Sequence, residues 1–297
     1  MPSPATGPQG RSHDTSAALF ADYSLDMTGK IGAVETAWAV IPPGTRLHVG
    51  FTDSQDLARR VSAARAVKRS GFVPVPVIAA RRLRSEAMLR EYLDTLRAAG
   101  VSGSVLVVAG DPAQPQGPYP DTASVIGSGL LEEFGVRRVS VAGHPGGHPA
   151  VDDRALWTAL AGKVAALEQR GLGGSVVTQF GFDPGLVLAW VAGMRARGIS
   201  VPVRVGVPGP ASVRLLLSYA SRCGVSVSEP VARDYGLSLA GLAATATPDH
   251  FIRALASGYD PRAHGEMKLH FNSFGGFTAT TEWISQFARP PRFERAP

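Results

Sequence analysis

Apolar and β-branched runs return along the chain about every thirty residues, each stopping near Gly, Asp or Pro and most followed by a stretch with helical spacing. Eight can be marked: ADYSLDM ending at Met27, RLHVGFT at Thr52, VPVPVIA at Ala79, SVLVVAG at Gly110, then RRVSVAG, GSVVTQF, VPVRVGV and KLHFNSF. Helical patterns occupy Ser54 to Arg69, Ser85 to Ala99, Asp121 to Phe134, Asp152 to Arg170, Pro184 to Arg197 and Ala211 to Arg222. Strands that are apolar on both faces belong in a parallel sheet under a shell of helices. An open doubly wound sheet also satisfies this pattern. Eight repeats favour closure, and no strand leads into GxGxxG or a Walker-type loop. The expected architecture is α/β, a (β/α)8 TIM barrel forming one domain over residues 18–297. Residues 1–17, rich in Pro, Ser, Gly and Thr, read as a flexible N-terminal tail. The long interval from Gly224 to Gly265 predicts extra helices before the last strand, around DYGLSLAGLAA and PDHFIRALAS.

Composition narrows the partners. The net charge of +6 favours anionic ligands such as dinucleotides or polyglutamates. Basic residues are scattered apart from Arg81, Arg82 and Arg84, with no stripe interleaved with aromatics, so no nucleic acid is expected. No apolar run is long enough to span a bilayer and the N-terminus lacks a secretory apolar core, so no membrane partner is expected. Cys223 is the single cysteine, which excludes an internal disulfide and fits a cytoplasmic location. No GxSxG or HExxH occurs, which argues against a hydrolase.

In such a barrel the chemistry sits where strands finish, and Asp26, Asp111, His144, His148 and Gln179 stand there. Asp111 follows an apolar run and Gly110, at the rim of a dry core or as a turn residue before Pro112. Asp26 shares an alternate face with Asp22 and Ser24, which points it into the upper barrel or onto a surface strand. His144 and His148 are four apart in GHPGGHP, but its prolines and glycines forbid the helix that would make them metal ligands, so no metal is expected. That loop reads either as backbone N–H groups approaching a ring or phosphate, or as a tight turn with solvated histidines. Gln179, beside Phe180, reads a heterocycle edge or caps a helix.

Taken in order, SLDM, VVAGDP, the TAS of DTASVI, VSVAGHPGGHP, Gly162-Lys163-Val164, VVTQFGFD and KLHFNSF resemble the landmarks of methylenetetrahydrofolate reductases over about residues 20 to 285. TQFGFD is similar to that family's TQFFFD, and VAGHPGGHP to its AYPExHP segment. The resemblance implies FAD as cofactor, NADH or NADPH as hydride donor, and reduction of 5,10-methylenetetrahydrofolate to 5-methyltetrahydrofolate by a ping-pong mechanism, a step of one-carbon metabolism and methionine biosynthesis. It further implies Asp26 as the general acid and Asp111 near flavin and pterin. Ala109, Gly110, Thr122, Ala123, His144, His148 and Lys163 become FAD contacts, and Gln179, Phe180 and Phe271 contacts to the tetrahydrofolate substrate.

The pattern departs from the family at several places. Asp26 stands for Glu, Ala109 for Arg, His144 for Tyr, Gly162 for Arg, and Val77 for a flavin-side His. The lost arginines motivate an alternative, a folate- or flavin-binding barrel without reductase activity. An aldolase-type lyase is a weaker third reading, because Lys30, Lys68, Lys163 and Lys268 offer no strand-end Schiff-base lysine. NADH against NADPH and homo-oligomerisation stay open.

Overall fold

A computed structural model of the chain describes residues 17–27, 31–50, 57–237 and 241–288. Most of the expected tail, residues 1–16, and the expected strand end at Thr52 lie outside the described residues. Eight parallel strands close a barrel. They are β1 (Ser24–Met27), β2 (Arg46–Val49), β3 (Val73–Ala79), β4 (Ser104–Val108), β5 (Arg138–Gly143), β6 (Gly173–Thr178), β7 (Val203–Pro208) and, eighth round the barrel, β10 (Met267–Asn272). Each pairs with its sequence neighbour, and β1 closes against β10 with Ser24 opposite His270. The expected (β/α)8 barrel is therefore the fold.

The helices begin where short polar side chains can bond free backbone N–H groups. Preceding β2 is α1 (Ile31–Thr36), and α2 (Leu57–Arg69) follows it. Ser85 caps α3 (Glu86–Ala98) by accepting from Met88 N, and Asp121 caps α4 (Thr122–Gly127) in a reciprocal arrangement with Ser124. The expected continuous helix from Asp121 to Phe134 is broken, because Gly129 sits at φ 78°, and a separate short α5 (Leu130–Glu133) follows. Asp152 caps α6 (Asp153–Gln169) and Asp183 caps α7 (Pro184–Ala196).

Between β7 and β10 the chain inserts a two-stranded antiparallel sheet of β8 (Ala211–Ser212) and β9 (Thr245–Ala246), so α8 starts only at Val213 and runs to Arg222. Of the two extra helices expected there, α10 (Asp249–Gly258) covers PDHFIRALAS. Nearby, α9 (Glu229–Tyr235) ends at the start of DYGLSLAGLAA, stopped by Gly236 at φ 79°, and residues 238–240 of that expected helix lie outside the described residues. A single turn, α11 (Pro261–His264), leads into β10, and α12 (Phe277–Phe287) follows it.

The two faces of the strands carry different cargo. Leu25, Leu47, Val105, Val107, Val139, Val141, Leu269 and Phe271 are 0–1% exposed and belong to the continuous apolar core. The Phe271 ring touches Phe20, Tyr23 and Trp283 of α12, which fixes this set as the face turned to the helices. The alternate residues therefore face the barrel axis. Gly206 of β7 is required there, since a Cβ would land 2.5 Å from the Thr178 carbonyl oxygen.

Candidate active site at the barrel mouth

Asp26, one residue from the end of β1, lies level with His48 on β2 and beside His270 and Asn272 on β10. Its Oδ1 is 3.2 Å from His270 Nε2, and its Oδ2 accepts from Asn272 Nδ2 at 2.7 Å. On the other side of the His270 ring, Nδ1 and the Ser24 hydroxyl are 2.9 Å apart. Ser273 anchors the backbone by donating to the Asp26 carbonyl at 2.9 Å. The His48 ring lies over that of His270 with centroids 4.3 Å apart. His48 is 1% exposed and its Nδ1 has no hydrogen-bond partner, nor has Asn272 Oδ1. The Asp26 side chain is 27% exposed and His270 only 3%, so Asp26 is the member that reaches the mouth.

Burial alone would raise the Asp26 carboxyl. The charge and hydrogen bond of His270, the charge of His48 and the Asn272 amide outweigh it and hold the group below the usual carboxylate range. His48 is pushed the same way by burial first and then by the positive charges of His270, Arg204 and Arg46, against the pull of Asp26. Below this cluster Asp22, at φ 62°, binds both Arg46 and Arg204, the latter through Oδ2 at 2.7 Å. Those three side chains lie toward the barrel's lower end.

A second group lies on the β5–α6 side. Lys163 of α6 donates to the Ala142 carbonyl at 2.6 Å, and His144 and His148 meet edge to face at 5.6 Å across a turn that Gly147 makes at φ 77°. Burial, then Lys163, then His148 push His144 down to about 4. Lys163 falls to about 8 through burial, partly offset by Asp121. Because α4 packs on α6, Thr122 and Ala123 belong to this side too. Of the expected cofactor contacts, His144, His148 and Lys163 are thus grouped, while Thr122 and Ala123 lie on the helix packed against α6.

The other expected residues divide. Gln179 is half-buried just past β6, its backbone N–H bonded to Gly143 O at 2.7 Å, and Phe180 packs edge-on to Phe274 at 4.8 Å. Ala109 and Gly110 follow β4 and are half-buried. Asp111 is not at a dry rim: Gly110, at φ 92°, turns the chain outward and leaves the carboxylate 93% exposed, 3.2 Å from Arg82. Phe271 lies among the helices with none of its surface exposed, on the face of β10 turned from the barrel axis.

His48, His270 and Asn272 were missed. Their signal is alternation: RLHV and KLHFN carry a polar residue at every second position, as SLDM does with Ser24 and Asp26. Among the described residues, Asp26, His48 and His270 offer ligand atoms within 4.8 Å of one another. No helix among them is long and apolar enough to cross a membrane.

No family model matches the sequence. Among solved structures, the chain is similar to an uncharacterized protein from Clostridium thermocellum that binds two copies of 5-methyl-5,6,7,8-tetrahydrofolic acid. Identity is 9% and the TM-score 0.54, over 90% of this chain and 92% of that one. It is also similar to a candidate phosphonomutase from Burkholderia cenocepacia J2315, at 13% identity and a TM-score of 0.50, over 90% and 93% of the two chains. At these identities the likeness establishes the shared barrel fold.

Proposed function

We propose that this chain binds a reduced folate at the barrel mouth and reduces 5,10-methylenetetrahydrofolate to 5-methyltetrahydrofolate, with NADH or NADPH as hydride donor and FAD as carrier, in two alternating half-reactions. The observation that carries this reading is Asp26, a half-buried carboxylate hydrogen-bonded to the buried His270, at the position where the family resemblance calls for the acid. The folate bound by the Clostridium thermocellum barrel supports the choice of substrate class.

The fit of FAD is best on its anionic side. Lys163 supplies a half-buried ammonium, and the turn from His144 to His148 supplies backbone N–H groups and imidazoles beside it. At the ring edge, where Ala109 and Gly110 stand, only backbone groups are at hand. The chemistry such a flavin supplies when bound is hydride storage between nicotinamide and folate.

The residues' own work is proton transfer and exclusion of water. Opening the five-membered ring of the folate requires a proton at its nitrogen. Asp26 rests as a carboxylate, so the proton is drawn from the Asp26–His270 pair and reaches the mouth through Asp26. Asn272 holds that carboxylate in one orientation, and Ser273 anchors the Asp26 backbone carbonyl. Opposite, Leu106 and Val108 present a half-exposed apolar wall on which a flat ring can lie.

A second reading, a folate-binding barrel without reductase activity, is favoured by one observation: Asp111, expected at the flavin, points into solvent. The visible spectrum of the purified protein before and after adding FAD, followed by NAD(P)H oxidation with and without methylenetetrahydrofolate, separates the two. Flavin uptake with folate-dependent oxidation is the expected result. Calorimetric folate binding with no flavin uptake and no turnover gives the second reading, and neither binding nor turnover overturns both.

A further inference from the structure

We infer that Asp26, His48 and His270 form a site for one divalent cation of the zinc or cobalt class, with coordination positions left open toward the mouth. Two imidazoles and one carboxylate are the donor set that borderline transition-metal ions take, whereas magnesium and calcium call for oxygen donors. The three side chains come from adjacent strands of a closed barrel, so their Cα positions are fixed by backbone pairing. Their ligand atoms lie within 4.8 Å of one another. Bonds of about 2.1 Å bring donors to about 3 to 3.5 Å apart, a change within reach of small side-chain rotations.

Two further observations point to an occupant. His48 is 1% exposed, yet its Nδ1 is buried without a hydrogen-bond partner, a costly condition for a side chain of this cluster. The atoms that would not coordinate are already engaged. Ser24 holds His270 Nδ1 and Asn272 holds Asp26 Oδ2, so the atoms left to the ion are Nε2 and Oδ1, whose mutual contact at 3.2 Å it would replace. Such outer partners orient metal ligands. Asp22 binds both arginines beneath the cluster and reduces their repulsion of a cation. The 27% exposure of Asp26 supplies the way in.

This inference does not rest on the folate reading. A carboxylate that coordinates an ion cannot also relay a proton, so cation occupancy and folate reduction would exclude one another.

The test uses the full chain, stripped with a chelator and titrated with Co2+ by visible absorption and with Zn2+ by calorimetry. Saturable uptake of one ion per chain is expected, with affinity lowered about 100-fold or more in His48→Gln and in His270→Gln. A His144→Gln/His148→Gln double variant should bind as wild type. Should a cluster variant fail to fold, paramagnetic broadening of the wild-type histidine signals by Co2+ decides, with His48 and His270 affected first. Absence of saturable uptake, uptake unchanged in the cluster variants, or uptake lost only in the double variant overturns the site. Tetrahydrofolate binding, measured separately on the stripped protein, tells failure of this site from failure of the folate reading.

Discussion

The wall made by β10, β1 and β2 and the wall made by β3 and β4 look onto the same mouth from opposite materials. The first presents Ser24, Asp26, His48, His270 and Asn272, joined by hydrogen bonds or ring contact and mostly buried. The second, reached from His48 through its register with Val75, presents Val77, Ala79, Leu106 and Val108. Parallel strands demand only that their helix-facing residues be apolar, and both walls obey that. What the axis-facing residues are is therefore free to follow function: one wall holds charge and protons in fixed orientation, and the other offers surface to an aromatic ring.

The comparison breaks most visibly at Asp26. Asp26→Asn should leave hydride uptake from NAD(P)H intact and slow folate reduction about 100-fold or more, measured by separate half-reaction kinetics. Equal loss in both half-reactions would remove the proton role from the polar wall. Phe271→Ala tests the opposite face of the same strand. Its ring is fully buried among Phe20, Tyr23 and Trp283, so the variant should lose about 3 to 5 kcal/mol of stability in denaturant titration with folate affinity unchanged. A fall in affinity without a fall in stability would return Phe271 to the ligand.

The two walls also explain what the sequence made legible. Periodic apolar runs and the helix starts at Ser85, Asp121 and Asp152 announced the barrel, because both are local signals. Asp26 could be read because it ends an apolar strand. His48 and His270 could not be paired from the sequence, since 222 residues separate them and only closure of β1 on β10 and β2 brings them together. Asp111 misled for a backbone reason: a glycine at positive φ reverses the direction that strand alternation would give the next side chain.

Smaller effects sharpen the contrast with the β5–α6 side. Lys163→Met should weaken binding of an anionic cofactor or pyrophosphate about tenfold by calorimetry, by removing the half-buried ammonium next to the His144 turn. Equal affinity in the variant would detach Lys163 from anion binding.

The histidines add a dependence on pH whose sign follows from burial. His144 takes up its proton near pH 4 in the folded chain and at the ordinary histidine value of 6.5 when unfolded. Between these limits the unfolded chain binds the extra proton, so stability falls as pH drops from about 6.5 toward 4. His48, lowered for the same first cause, acts in the same direction over a window that also opens at 6.5. Thermal unfolding across this range should show the midpoint falling with pH in wild type. In His144→Gln the fall should be shallower and the His48 share should persist. An unaltered slope in that variant would mean that His144 is as well hydrated as a surface histidine, and that the β5–α6 side is more open than its half-buried lysine implies.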